Sequence, residues 1–353
     1  MGEHPLSDPP SDRDNRVSGG NGPDRGLQAQ GSVTPESRRM GYLLVLTASM
    51  FWATSGLLSR LVFDSGIIEP RALAAMRVYG AAILLAPWVV RARPHLDGRG
   101  WLKVAAFGVF GVSVPQWIYF ESIARIPVPI ALVIVYTAPV LVTMFERFVH
   151  RRVLPIAVYA AIGVAVVGVI FAVTGGKGGA GALPIVGVLL AVITAFAYAG
   201  QIMVAAVQPA ELHPLVRTGL GMMAGSLFWT VLSPFWRLPF GSFGDAVDLG
   251  PRAPGSVPAG LLVAAIIVFG TVIPYTMLVA GAPRIGLGAS SVTGMIEPVA
   301  ASVLAWVALN QRLAIVQVFG VAIALGGVTV AELMRNRSPK DEHFGLVDAA
   351  TPP

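Results

Sequence analysis

Few residues in this chain could do chemistry, and those that could sit in apolar surroundings. Of its nineteen acidic residues, only Glu297 falls in the middle of a long apolar run; Glu121, Glu146 and Glu332 lie near the ends of such runs. A charge at the centre of a bilayer costs at least about 2.5–3.5 kcal/mol on insertion scales. A carboxylate kept there reads as a proton-binding group or as the counter-charge of a cationic ligand. The plainer alternative is a protonated acid hydrogen-bonded to a neighbouring helix. Arg77 is the second charge inside an apolar run. It either faces a central cavity, where it could hold a carboxylate, or snorkels towards the interface. Trp52, Gln116, Tyr119, Tyr136, Tyr198, Gln201 and Tyr275 add ring faces, amides and hydroxyls. Polar groups in an apolar core need partners, and a bound small molecule can be one. Contacts that simply hold helices together are the competing use.

The elements that must position these side chains follow from composition. Hydrophobic residues make up 55% of the 353, and charged residues only 12%. Soluble domains carry about twice that share of charge. The apolar residues run in stretches near the ~20 needed to cross a bilayer core, at 41–62, 69–90, 101–122, 127–148, 153–174, 183–206, 214–236, 258–280, 288–309 and 313–334. Such segments must satisfy their own backbone hydrogen bonds, so they are expected to be helices. The fold expected is an all-α integral membrane protein of about ten transmembrane helices. Residues 1–39 and 335–353 are polar and read as disordered tails.

Basic residues set the orientation. With the N-terminus in the cytoplasm, fourteen Lys and Arg fall on the inner side and seven on the outer. The bias puts both termini inside and favours an even number of spans. The net charge of +6 therefore reads as topology, and no nucleic-acid partner is expected. Arg60, near a run end, is expected to snorkel outwards, and Trp101, Trp229 and Trp236 to sit in the interfacial belt.

An internal repeat is the most informative pattern. At an offset of 159, Pro115 meets Pro274, Arg125 meets Arg284, Pro139 meets Pro298, Gly111 meets Gly270 and Gly168 meets Gly327. At an offset of 144, Gly56 meets Gly200 and Pro70 meets Pro214; an insertion near 237–257 accounts for the change. The halves are then 41–174 and 183–334, five spans each. An odd number per half makes the repeats inverted, with the binding site between them near the midplane. Pro115, Pro139, Pro274 and Pro298 are candidate hinges for alternating access, or else static kinks.

Other signals exclude chemistry. Without cysteine, disulfides and thiolate metal sites are ruled out. The five histidines lack spaced partners, so no metal and no cofactor is expected. GGKGGAG (175–181) lacks the Ser or Thr of a phosphate loop and reads as a flexible connection. Gly221 and Gly225 form a GxxxG pair that points to close helix packing.

The segments ASMFWATSGLLSR (48–60), IARIPVPIALVIVYTAPVLVTMFERFV (123–149) and SSVTGMIEPVAASVLAWVALNQRL (290–313) resemble the EamA family of the drug/metabolite transporter superfamily. The resemblance covers about 41–334. It implies ten spans in two repeats, and export of amino acids, other metabolites or drug-like compounds across the inner membrane. Two positions depart from the family pattern: Gln311 replaces a usual Glu, and Val135 stands where an acidic residue is common. Glu297 remains as the acidic candidate, with protons as a possible coupling ion. A membrane-embedded enzyme acting on lipids or isoprenoids would need clustered Asp, His or Arg near a surface. A sensor would be expected to carry a soluble domain. Neither pattern is present in the sequence.

Overall fold

Helices dominate the computed structural model, which describes Gly2 and residues 34–149, 155–174, 183–206, 212–250, 254–310 and 313–337. Helix α1 (Pro35–Asp64) starts earlier than the apolar run. Thr34 caps it, its hydroxyl accepting from the Ser37 N–H at 3.2 Å, with Pro35 in the first turn and Glu36 beside it. Residues 35–39 are therefore helix, not tail. The rest of the expected tails, save Gly2 and Arg335–Arg337 at the end of a helix, lies outside the described residues, as do the GGKGGAG loop and Gln311. Helix α2 (Pro70–Ala92) follows and stops at Arg93, whose φ of 43° is left-handed.

The third expected span is interrupted. It runs as α3 (Gly98–Ala106), a π-helical stretch (Phe107–Ser113) and α4 (Val114–Ile123). The eighth repeats this as α10 (Ala259–Ile267), a π stretch (Val268–Val272) and α11 (Ile273–Ile285). Pro115 and Pro274 explain both interruptions. Each lacks the N–H that the carbonyl four residues back would accept, and a wider turn absorbs the defect. The fourth and ninth expected spans are also divided. Helix α5 (Val128–Val135) gives way at Tyr136 and Thr137 to α6 (Ala138–Val149), and α12 (Leu287–Gly294) at Met295 to α13 (Ile296–Leu309). Pro139 and Pro298 lie in the first turns after these breaks. Both kinds of irregularity recur at the 159-residue offset.

The remaining helices are α7 (Ile156–Thr174), α8 (Ile185–Ala206), α9 (Pro214–Leu232) and α14 (Ile315–Arg337). Among the described residues, eight segments are long and apolar enough to cross a membrane; the other two expected spans coincide with shorter apolar helices, 128–141 and 185–201. Helices α7 and α14 pack backbone to backbone. A Cβ on Gly168 would collide with Ala324, and one on Gly327 would lie 2.6 Å from the Ala165 nitrogen. The GxxxG pair does the same on α9: Gly108 of the first π stretch faces the Gly221 carbonyl and the Gly225 nitrogen, leaving no room for a side chain.

The loop expected around 237–257 contains a two-stranded hairpin, Ala246–Asp248 antiparallel to Ser256–Pro258, with Val247 buried. Trp229 departs from its expected place in the belt. It is fully buried, edge-on to Trp117 at 5.8 Å, because α9 turns this face to the core. Trp101 and Trp236 are exposed. Arg60 stays near its helix end, paired with Asp64 at 2.9 Å and donating to the Ile123 carbonyl.

Candidate functional site

A small cavity, about 70 Å³, opens between the halves. Helix α1 contributes Trp52, Ser55 and Gly56, α2 contributes Arg77, and α4 contributes Pro115, Gln116, Tyr119 and Phe120. Leu132, Val135 and Tyr136 come from α5 and its broken end, Thr194, Tyr198 and Gln201 from α8, Tyr275 from α11 and Glu297 from α13. All nine side chains singled out as binding or coupling candidates thus lie on one cavity. Among the four prolines, Pro115 lines it; Pro139, Pro274 and Pro298 do not.

Glu297 is 7% exposed and enters the cavity because the break at Met295 places it in the first turn of α13. The Tyr136 hydroxyl, at the matching break of the first half, donates to its Oε2 at 2.8 Å. The Tyr136 ring in turn lies 6.5 Å from that of Tyr198. Across the cavity, Gln116 Nε2 donates to the Tyr275 hydroxyl at 3.1 Å. Trp52 meets the Tyr275 ring edge-on at 5.4 Å.

Arg77 does not snorkel. It is 4% exposed. Its Nε donates to Thr271 Oγ1 at 2.8 Å and its Nη2 to the Gly270 carbonyl at 2.5 Å. Gly270 is the residue four before Pro274, so the proline frees the very carbonyl that the guanidinium takes. The cation also covers the Phe120 ring, 4.9 Å from its centroid. Arg77 therefore ties α2 of the first half to the second π stretch.

Sequence reasoning missed Ser55, Gly56, Phe120, Leu132 and Thr194 on the wall. Helical spacing could have found the hydroxyls: Ser55 is three residues after Trp52, and Thr194, Tyr198 and Gln201 recur at i, i+4 and i+7. Among the described residues, the Ser55 hydroxyl and the Gln116 carbonyl oxygen are buried without a hydrogen-bond partner.

The chain matches the model of the EamA-like transporter family twice, over residues 39–174 and 185–332. An uncharacterized inner membrane transporter of Salmonella typhimurium, YicL, is 21% identical over 308 residues, covering 85% of this chain and 98% of that protein. A solved crystal structure shares the fold, with a TM-score of 0.54 at 19% identity, covering 84% of this chain and 98% of that one. Two matches to the family model, one on each half that meets at the cavity, establish that this membrane protein belongs to the EamA-like transporter family.

Proposed function

We propose that the chain is a ten-span secondary transporter that exports small organic molecules, amino acids or drug-like compounds, by alternating access between two inverted repeats. The observation that carries this reading is a single cavity whose polar lining comes from both halves, with a buried carboxylate on one helix break and its tyrosine partner on the other. Alternating access requires such a site, exposed in turn as the halves rock.

Contacts between the repeats support the inversion. In a two-fold arrangement a contact between i and j is matched by one between their equivalents. Gly168 touches Ala324, and their 159-residue equivalents, Gly327 and Ala165, touch likewise. Gln116 bonds Tyr275, its own equivalent, as only residues on the axis can. Five spans per half, both termini in the cytoplasm and residence in the inner membrane complete the arrangement. The four prolines mark where the helices flex, and Glu297 exchanges the coupling proton.

Flux into proteoliposomes, with and without a pH gradient, tests the proposal. A gradient-dependent flux is expected for the native chain, and Glu297→Gln is expected to lose the dependence on the gradient. Unchanged coupling in that variant removes Glu297 from the mechanism, and no flux of any amino acid, metabolite or amphiphile removes transport.

A further inference from the structure

We propose that the cavity selects a protonated organic amine with an aromatic body, over a zwitterion or an anion of the same shape. The inference rests on the transport reading above and narrows its substrate class.

The polar groups of the cavity differ in how far they are still available to a ligand. Glu297 and Arg77 share the cavity, and a free pair of this kind would suit an amino acid, with a cation for its carboxylate and an anion for its amine. Arg77 is poorly placed for that. Its Nε–Nη2 edge, one of the two that can fork a carboxylate, is committed to Thr271 and the Gly270 carbonyl. Its face is laid on Phe120, and it is 4% exposed. Turning that edge to a ligand would leave a buried carbonyl and hydroxyl unpaired, which offsets the gain, so what Arg77 has left for a carboxylate is its Nη1–Nη2 end.

The acceptors are differently placed. From the described residues Glu297 receives one bond, from Tyr136, on Oε2, and a carboxylate has about four acceptor positions. Gln116 spends its amide nitrogen on Tyr275 and leaves Oε1 buried without a partner. Ser55 Oγ on the same wall is also without a partner. An ammonium brings three N–H donors and a positive charge, and so answers an unmet amide oxygen and a carboxylate at once. A quaternary ammonium would answer only the charge. The walls suit the rest of such a molecule: Trp52, Tyr119 and Tyr198 line the cavity with aromatic rings, a lining that suits a flat apolar body and a cation alike.

Three ligands of one shape test the proposal: phenethylamine, phenylalanine and 3-phenylpropionate. Binding to the purified full chain in nanodiscs is read by tryptophan fluorescence, and flux in proteoliposomes. Phenethylamine is expected to bind roughly tenfold to a hundredfold more tightly than the other two, the worth of a charge-assisted hydrogen bond. Glu297→Gln is expected to abolish that preference and Glu297→Asp to keep it, with thermal unfolding confirming that both variants fold. Tighter binding of phenylalanine or phenylpropionate overturns the amine proposal and leaves transport standing. So does flux of other small molecules with none for phenethylamine. Retained preference in a folded Glu297→Gln variant also overturns it. Absence of flux for every compound overturns the transport reading itself.

Discussion

Two adjacent glycines of α14 should respond to the same substitution with opposite signs. Gly326 has nothing within 4 Å of where a Cβ would stand, whereas a Cβ on Gly327 would lie 2.6 Å from the Ala165 nitrogen and 2.8 Å from both the Ala161 oxygen and the Ala165 Cα. The obstructing atoms are backbone, so no rotamer change relieves them. Restoring an ordinary contact of 3.4 Å demands that α7 and α14 separate by about 0.8 Å. A gap of that size forfeits a quarter to a half of each dispersion contact along the seam, and overpacking of this kind typically costs about 1–3 kcal/mol. Gly327→Ala should therefore lower stability by that amount. Gly326→Ala meets no obstacle and should gain from alanine's helix propensity, by up to about 1 kcal/mol. Unfolding of each purified variant in mixed micelles with rising SDS, followed by helical circular dichroism, gives the comparison. Gly168→Ala, at the equivalent place in the other half, should match Gly327→Ala. The double variant should cost less than the sum, because the first substitution has already parted the helices. Equal effects at 326 and 327, or a larger loss at 326, would refute the packing of this pair.

Arg77→Lys should destabilise the protein by about 2–4 kcal/mol, since an ammonium cannot reproduce the fork that reaches Thr271 and Gly270. A double-mutant cycle with Thr271→Val should show coupling of at least about 0.5 kcal/mol, and strict additivity would count against the tie. The absence of native cysteines allows single-cysteine labelling without background. Ser37→Cys and Arg99→Cys should react with impermeant maleimide only from the cytoplasmic side, and Ser65→Cys and Ala246→Cys only from outside; the reverse pattern would contradict the proposed orientation. Ala138→Glu should fail to rescue transport in Glu297→Ala. Position 138 is buried away from the cavity, and the equivalent of Tyr136 in the other half is Met295, which offers no hydroxyl.

Much of this arrangement was legible in the sequence because polar side chains are rare where the chain is apolar. Selecting the residues that an apolar run should not contain was enough to name nine that share one cavity. Ser55 and Thr194 escaped that filter, since small hydroxyls can bond their own helix, as Thr194 does to the Leu190 carbonyl at 2.8 Å. Trp229 escaped for a different reason: a tryptophan near a run end is ambiguous until the rotation of its helix is known. The early start of α1 was readable, because Thr-Pro-Glu before an apolar run is a helix-start signal. The partner of Arg77 was not. A backbone carbonyl leaves no mark in sequence, and only the proline four residues later hints that one is free.

The repeat bears on where chemistry can arise. Residues shared by the halves, such as the prolines and the α7–α14 glycines, set breaks, wide turns and close approaches. Both charged cavity residues fall where the halves differ: Ala138 is the equivalent of Glu297 at the 159-residue offset, and Gly221 the equivalent of Arg77 at the 144-residue offset. Gly221 lies against the first π stretch as Arg77 bonds the second, but by bare backbone contact with Gly108 and the Phe107 ring. One π stretch is thus held by a charged fork and the other by a glycine seam. In the alternating-access reading proposed above, rocking of the halves would disturb the two unequally, since parting the fork strands a buried cation whereas parting the seam costs only packing. The resting conformation should therefore keep the Arg77 side closed. The asymmetry needed to favour one state of the proposed two-fold machine would then reside in the Arg77 guanidinium and the carbonyl that Pro274 leaves free.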